Sequence, residues 1–207
     1  MAKELLKLLA AADPRDSMRL MAEAGVLEVI LPEASGLGRL DALVALERDR
    51  LIENDPELRL AALLPVDAKA AASAAGRLRL SNAQKARLVA AAGAQPRVAS
   101  WMSAREVRRA VYELGHRTFY DRVKLAWAAS ERPATEPQWR ALLALAEGWT
   151  RPDFPLTGDD ALAAGAPPGP RVGQVLREVE DWWIDHDFPA DREQALERLR
   201  MVTRAIG

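Results

Sequence analysis

Signals that start and stop helices follow one another along almost the whole sequence. Two of them are capping boxes, in which a serine is followed three residues later by Gln or Glu, at Ser81 and Ser103. Between such signals apolar residues recur at three- and four-residue spacing, as from Val172 to Trp183. No segment shows the alternation of a half-buried strand. The sequence therefore predicts an all-α chain without a sheet, an elongated array of many helices.

Further residues that cap or break helices set the expected helix limits. Residues 26–31 are expected to form only a short apolar turn, and residues 151–156, with two prolines, to form a linker. The linker predicts a boundary, and we expect three regions, 1–66, 67–150 and 151–207. The other expected helix starts are Asp13, Pro56, Asp67, Thr118 paired with Asp121, Thr135, the pair Asp159–Asp160, and Asp191.

A run rich in glycine and proline, residues 154–176, leads into a long apolar-striped helix. Pro170 suits the first turn of that helix, where a missing N–H costs nothing. Gly173 leaves the same turn without a side chain, so a phosphate could approach the unpaired N–H groups at the positive end of the helix dipole. The alternative is that Gly173 only lets a second helix pack closely.

The same run resembles the tail motif of bacterial CCA-adding tRNA nucleotidyltransferases and their poly(A) polymerase relatives in its order of residues, Leu156-Thr157-Gly158-x-Asp160-x-Leu162-x-x-Gly165-x-x-Pro168-Gly169-Pro170-x-x-Gly173-x-x-Leu176. Residues 4–33 resemble the end of that family's neck, and residues 77–83 resemble its body. The resemblance covers nearly the whole chain. It implies a neck remnant and the start of a body in 1–66, a basic body in 67–150 and a tail in 151–207.

The family's reaction takes place in an N-terminal head. That head has a Gly-Gly phosphate loop, a strand-borne Asp-x-Asp metal pair and a Glu-Asp-x-x-Arg segment that selects the incoming nucleotide. None of these occurs in context in this sequence. The resemblance therefore implies the C-terminal, RNA-holding part, with no catalytic residue, metal site or cofactor of its own. Its partner would be an N-terminal catalytic head that uses CTP, ATP and Mg²⁺.

Charge is unevenly distributed, although the whole chain has a formal net charge of only −1. Residues 1–67 and 133–207 each carry 8 basic and 13 acidic side chains, whereas residues 68–132 carry 13 basic and 4 acidic ones. A positive centre between negative ends suits an RNA backbone. The resemblance implies that this centre contacts the acceptor stem and T arm of tRNA by backbone shape, not base sequence.

The candidate RNA-binding residues come from this positive centre and from the tail run. Helical spacing would place several cations on one surface, where they can contact successive phosphates, although an ordinary solvated face is the alternative for any single arginine. They are Arg77, Arg79, Lys85, Arg87, Arg105, Arg108, Arg109, Arg117 and Lys124, with Arg122 beside them, and Gly169, Pro170, Arg171 and Gly173 from the tail.

Other chemistry has little support in the sequence. Asp185-x-Asp187 ends a helix and has no phosphate loop before it, unlike the carboxylate pair of a phosphoryl-transfer enzyme. Two histidines and no cysteine supply too few ligands for a metal phosphohydrolase. Most of the six tryptophans, namely Trp127, Trp139, Trp182 and Trp183, are expected in the core, and Trp101 is left open as a base-stacking surface.

The absence of cysteine and of a membrane-spanning or signal segment favours a soluble, cytoplasmic protein with no membrane partner. The favoured function is the tRNA-binding C-terminal part of a CCA-adding nucleotidyltransferase, which positions the tRNA 3′ end for a separate head. Such a chain should be inactive alone. The alternatives are part of a poly(A) polymerase, a helical protein-interaction scaffold and a metal hydrolase.

Overall fold

The computed structural model describes residues 2–130, 136–189 and 191–206. Every regular element in these ranges is an α-helix and none is a strand, which confirms the all-α prediction. The helices are α1 Ala2–Leu9, α2 Arg15–Glu23, α3 Val26–Ile30, α4 Gly38–Arg48, α5 Pro56–Leu63, α6 Ala68–Leu78, α7 Asn82–Ala91, α8 Ala104–Leu114, α9 His116–Ala128, α10 Glu136–Glu147, α11 Gly158–Ala163, α12 Pro170–Asp185 and α13 Arg192–Ile206.

Most of the predicted starts are confirmed because caps are local chemistry. Ser81 begins α7 and Ser103 begins α8, each with both hydrogen bonds of a capping box. The Asp67 carboxylate accepts from the N–H of Lys69 at 2.7 Å at the start of α6. The Asp191 carboxylate accepts from the N–H of Glu193 at 2.9 Å before α13.

Four local predictions are wrong. The N-cap of α2 is Pro14, one residue after the predicted Asp13. Helix α9 begins directly after Gly115 without a side-chain cap, and Asp121 is buried instead of pairing with Thr118. The N-cap of α11 is Thr157, whose hydroxyl accepts from the N–H of Asp160 at 3.4 Å while the Asp160 carboxylate accepts from the N–H of Thr157 at 2.8 Å. Residues 26–30 form the helix α3, not only a turn. The predicted cap at Thr135 lies outside the described residues.

The chain divides into two compact units, Met1–Gly148 and Trp149–Gly207. Helix α5 lies at the centre of the first unit, where it packs against α1, α4, α7 and α9. Residues 58–63 of α5 are all buried, as expected of a helix that is surrounded by others. Trp127 and Trp139 belong to this core, as predicted.

The second unit has a core of its own, formed where α11, α12 and α13 meet. Trp183 of α12 is buried as predicted, whereas Trp182 is only half-buried and its ring lies near that of His186, with 4.7 Å between ring centroids. The central members of the core are Leu156, Ala161, Ala166, Val175, Val179, Ala195, Leu199 and Val202. In the described part of the chain no helix is long and apolar enough to cross a bilayer.

Candidate nucleic-acid interface

The predicted cations of the first unit lie on four consecutive helices. Helix α6 packs against α7, α7 against α9, and α9 against α8, so successive contacts join the four helices. Arg77 and Arg79 lie at the end of α6, and α7 carries Lys85 and Arg87. Arg105, Arg108 and Arg109 lie on α8, and Arg117, Arg122 and Lys124 lie on α9.

Several of these side chains are available to a ligand. Arg79, Lys85 and Arg105 are exposed, and their side chains form no ion pair or hydrogen bond with any described residue. Lys124 is half-buried and likewise lacks such a partner among the described residues. Arg108 is half-buried and already interacts within the protein.

Three further arginines pair with carboxylates but remain largely in solvent. The side chains of Arg77, Arg109 and Arg117 are 46%, 51% and 69% exposed, whereas those of their partners Glu33, Glu113 and Asp55 are 12%, 35% and 25% exposed. The pairs span 3.2, 2.9 and 4.0 Å, respectively, and Arg109 forms a further interaction within the protein. Because the arginines reach solvent, a phosphate can approach each guanidinium beside its carboxylate.

Arg87 has a different environment from the rest of the predicted set. Its guanidinium, 14% exposed, donates to both oxygens of Asp121 at 2.8 and 2.9 Å and also binds Asp55 and Glu57. Burial raises the pKa of Asp55, but hydrogen bonds and charge from Arg87 outweigh it, so the net pKa lies below its usual range. Arg87, a predicted RNA contact, therefore links α5, α7 and α9 within the fold.

We expect Arg87→Met to reduce the free energy of unfolding by about 2–4 kcal/mol, because Asp121 would remain buried without its counter-ion. Urea titration measures this, and Lys85→Met, an exposed neighbour on α7, is the matched control.

The pKa of Asp55 is depressed in the folded state. The contribution of the Arg87 ion pairs to the free energy of unfolding is therefore present above the unfolded pKa of about 3.9 and is lost as the pH falls below it. If Arg87→Met leaves stability unchanged and weakens the salt dependence of RNA binding, Arg87 is instead an RNA contact.

Arg122 also supports the fold. It donates to the carbonyl oxygens of Ala90 at 2.8 Å and Gln95 at 2.5 Å, and so satisfies the C-terminal end of α7. Burial lowers the Arg122 pKa. A Cβ added at Gly93 would lie 2.2 Å from Nη2 of Arg122, so a larger residue there would require the Arg122 guanidinium to move.

A groove between α1 and α6 adds a cation that the charge pattern did not indicate. Its volume is about 700 Å³, and Lys3, Arg77, Arg79 and Gln84 supply its polar lining. Lys3 was missed because it lies in the net-acidic first third of the sequence. Only the fold places it beside the end of α6, where three basic side chains face one groove.

In the second unit the tail run forms an open start to α12. Gly169, with φ 105°, occupies a backbone region that other residues rarely adopt, and Pro170 follows at the first helical position. Gly169, Pro170 and Arg171 are exposed. A Cβ added at Gly173 would meet only the tip of Arg177, at 4.0 Å. Close packing of another helix on Gly173 therefore has no support in the structure.

The carboxylates near the end of α12 do not assemble into a metal centre. Among the described residues no group of three or more His, Asp or Glu side chains is placed to hold a metal ion. Asp187 has φ 63° in the turn after α12, and the ring of the adjacent Phe188 packs against Trp183. The position of this turn therefore follows from the packing of Phe188 against Trp183.

One comparison with known proteins matches the start of the first unit, which includes α1 and so one wall of the groove. Residues 1–37, which include α1, α2 and α3, match a family model described as the probable RNA and SrmB-binding site of polymerase A. This stretch is therefore similar to an RNA-binding region of the poly(A) polymerase family. The match supports RNA as a partner of the chain. It includes Lys3, which lines the groove with Arg77 and Arg79, and Glu33, which pairs with Arg77.

A curated relative also matches part of the chain. It is the uncharacterized 28 kDa protein in the petA 5′ region of Rhodospirillum rubrum, 42% identical over 81 residues. The alignment covers 36% of this chain and 31% of the relative, so the chain matches about a third of that protein's length.

Proposed function

We propose that this chain is the tRNA-binding part of a CCA-adding nucleotidyltransferase of the poly(A) polymerase family. The observation that carries the proposal is the set of cations on α6, α7, α8 and α9, most of them exposed. At the end of α6 this set meets Lys3, which lies in the stretch similar to an RNA-binding region. We call this surface the basic layer. It comprises Lys3, Arg77, Arg79, Lys85, Arg105, Arg108, Arg109, Arg117 and Lys124.

The chemistry of the basic layer suits a folded RNA backbone. Guanidinium and ammonium groups attract phosphates wherever they lie along the chain, and they carry no base preference themselves. Duplex RNA is recognised mainly by the spacing of its phosphates and 2′-hydroxyls. Cations spread over several packed helices, as here, offer contacts at fixed spacing and therefore suit the acceptor stem and T arm of tRNA.

The contribution of this chain to the reaction is positioning. A tRNA held by the basic layer would present its 3′ end to an N-terminal head that supplies CTP, ATP and Mg²⁺ chemistry. Holding two reactants in a productive geometry can supply about 7–11 kcal/mol of the barrier in the best cases. The described residues hold no metal-ligand cluster, and no step of the nucleotidyl transfer is assigned to them.

The direct test is binding of the isolated chain to tRNA that lacks CCA, followed between about 50 and about 200 mM salt. We expect the affinity to fall steeply with salt and to exceed that for an unstructured RNA of equal length. Equal affinities would favour the poly(A) polymerase alternative, and no RNA binding would favour the protein-interaction scaffold. With labelled CTP, ATP and Mg²⁺ the chain alone should incorporate no nucleotide.

The start of α12 gives a separate prediction for the tail. We expect Gly173→Ala to stabilise the protein by up to about 1 kcal/mol, because alanine is favoured over glycine inside a helix and the added Cβ meets open space. The same methyl would stand in the way of a phosphate bound at this turn, so tRNA affinity should fall several-fold. Urea titration and filter binding on one preparation measure both effects. Gln174→Ala, an exposed substitution on the next residue, is the control, and undiminished affinity in Gly173→Ala would remove the tail from the RNA interface.

A further inference from the structure

One tryptophan of the first unit is placed unlike the others. Trp101 lies in the connection between α7 and α8, and 74% of it is exposed. By contrast, Trp127 and Trp139 are each 4% exposed. Leaving so large an apolar surface in water is unfavourable, by about 25 cal/mol for each Å², and no packing requirement of the fold accounts for it.

Two recesses meet at this side chain. One, of about 410 Å³, is lined largely by apolar groups, including Val66, Val98 and Trp139. The other, of about 290 Å³, lies towards α8 and includes Met102 and Arg109. Both include Arg97 and Trp101, so the indole stands on the ridge between them. A flat ligand can therefore lie against the indole and fill a recess beside it.

The charge around the ridge is positive. Arg97 is exposed, and its side chain has no ion-pair or hydrogen-bond partner in the described part of the chain. Among the described residues that line either recess, Glu106 is the one acid, and its carboxylate already accepts 2.7 Å hydrogen bonds from the N–H and hydroxyl of Ser103. A ligand that joins a flat aromatic ring to negative charge fits this arrangement, which is the chemistry of a nucleotide.

We propose that Trp101 is a stacking site for an unpaired base of the bound RNA, with the adjoining phosphates at Arg97 and Arg109. This rests on the RNA-binding function proposed above, and it adds a contact to a base where the basic layer contacts only the backbone. Every base has a flat face, so the site tolerates different sequences. An apolar side chain of a partner protein would suit the recesses but not the arginines around them.

The test compares two short single-stranded oligonucleotides of equal length, one with bases and one abasic, bound to the full chain. Loss of one stacked base typically weakens binding by roughly 5- to 150-fold. We expect Trp101→Ala to weaken binding of the base-bearing strand about tenfold and of the abasic strand hardly at all. Trp101→Phe should keep most of the affinity, because phenylalanine can still stack. Leu145→Ala, at another exposed apolar residue of the first unit, is the control.

The outcomes separate the two proposals. If the unmodified chain binds tRNA and both strands but Trp101→Ala binds the base-bearing strand equally well, the stacking site is wrong and the basic layer stands. Equal losses on both strands would show that Trp101 does not contact a base. If the unmodified chain binds no RNA at all, both proposals fail. Because Trp101 is exposed, Trp101→Ala should unfold at the same urea concentration as the unmodified chain, so its binding can be measured on folded protein.

Discussion

Replacing Arg105, Arg108 and Arg109 with glutamate should lower the affinity for tRNA by about a hundredfold at roughly 0.1 M salt. The three side chains lie on one helix, α8, and the reversal turns attraction for phosphate into repulsion. Each phosphate contact that is lost should also reduce the slope of log affinity against log salt by about 0.9, so the triple variant should bind with a slope lower by about 3. A filter-binding titration over several salt concentrations measures both.

A matched control separates local contacts from net charge. The double variant Arg105→Glu with Arg109→Glu avoids the half-buried Arg108 and changes the chain's charge as much as Arg48→Glu with Arg140→Glu. Arg48 and Arg140 are exposed, at 61% and 63%, and each forms only a long surface pair, at 3.7 and 3.5 Å. We expect the first pair to weaken binding at least tenfold more than the second. Equal losses would mean that binding follows overall charge, and the basic layer would then have no specific role.

The fold was predictable where its signals are local. A capping box involves four consecutive residues, so Ser81 and Ser103 identify the starts of α7 and α8 without knowledge of the rest of the chain. The start of α9 could not be identified in that way. Thr118 and Asp121 have the spacing of a cap, but Asp121 is needed by Arg87 from another helix, and a tertiary contact outweighs a local one. The motif from Thr157 to Asp160 was a missed capping box, although its spacing was visible in the sequence.

The candidate site was predictable only in part, for a related reason. A count of charges treats every arginine of residues 68–132 alike, whereas the fold gives them different partners. Arg87 binds carboxylates and Arg122 binds main-chain carbonyls within the first unit, whereas Arg79 and Arg105 have no such partner among the described residues. Lys3 lies about seventy residues before Arg77 and Arg79, and it joins them only because α1 and α6 line the same groove. Charge patterning therefore locates the region but not its members.

Removing Arg59 should reduce the free energy of unfolding by about 3–5 kcal/mol, a large part of the 5–15 kcal/mol typical of a domain. Its side chain is 1% exposed and lies inside the central helix α5. It pairs with Glu47 of α4, whose side chain is 3% exposed, and it donates to the carbonyl oxygen of Ala11 at 2.6 Å and to that of Leu9. In Arg59→Leu a buried carboxylate and two carbonyl groups at the end of α1 would lose their donor at once.

Replacing Glu47 as well as Arg59 tests whether the loss of stability comes from the unpaired charge or from lost packing. A buried ion pair is costly to break but can often be replaced by apolar residues at little loss, so Glu47→Leu with Arg59→Leu should be more stable than Arg59→Leu alone. Arg48→Leu, at an exposed neighbour of Glu47, should change stability by less than about 0.5 kcal/mol.

Amide exchange should show α1 opening first in Arg59→Leu, since that helix would lose the bonds that hold its end. A variant Arg59→Leu that unfolds at the unmodified urea midpoint would mean that α1 is held by apolar contacts alone. The placement of Lys3 beside Arg77 and Arg79 would then not depend on this pair.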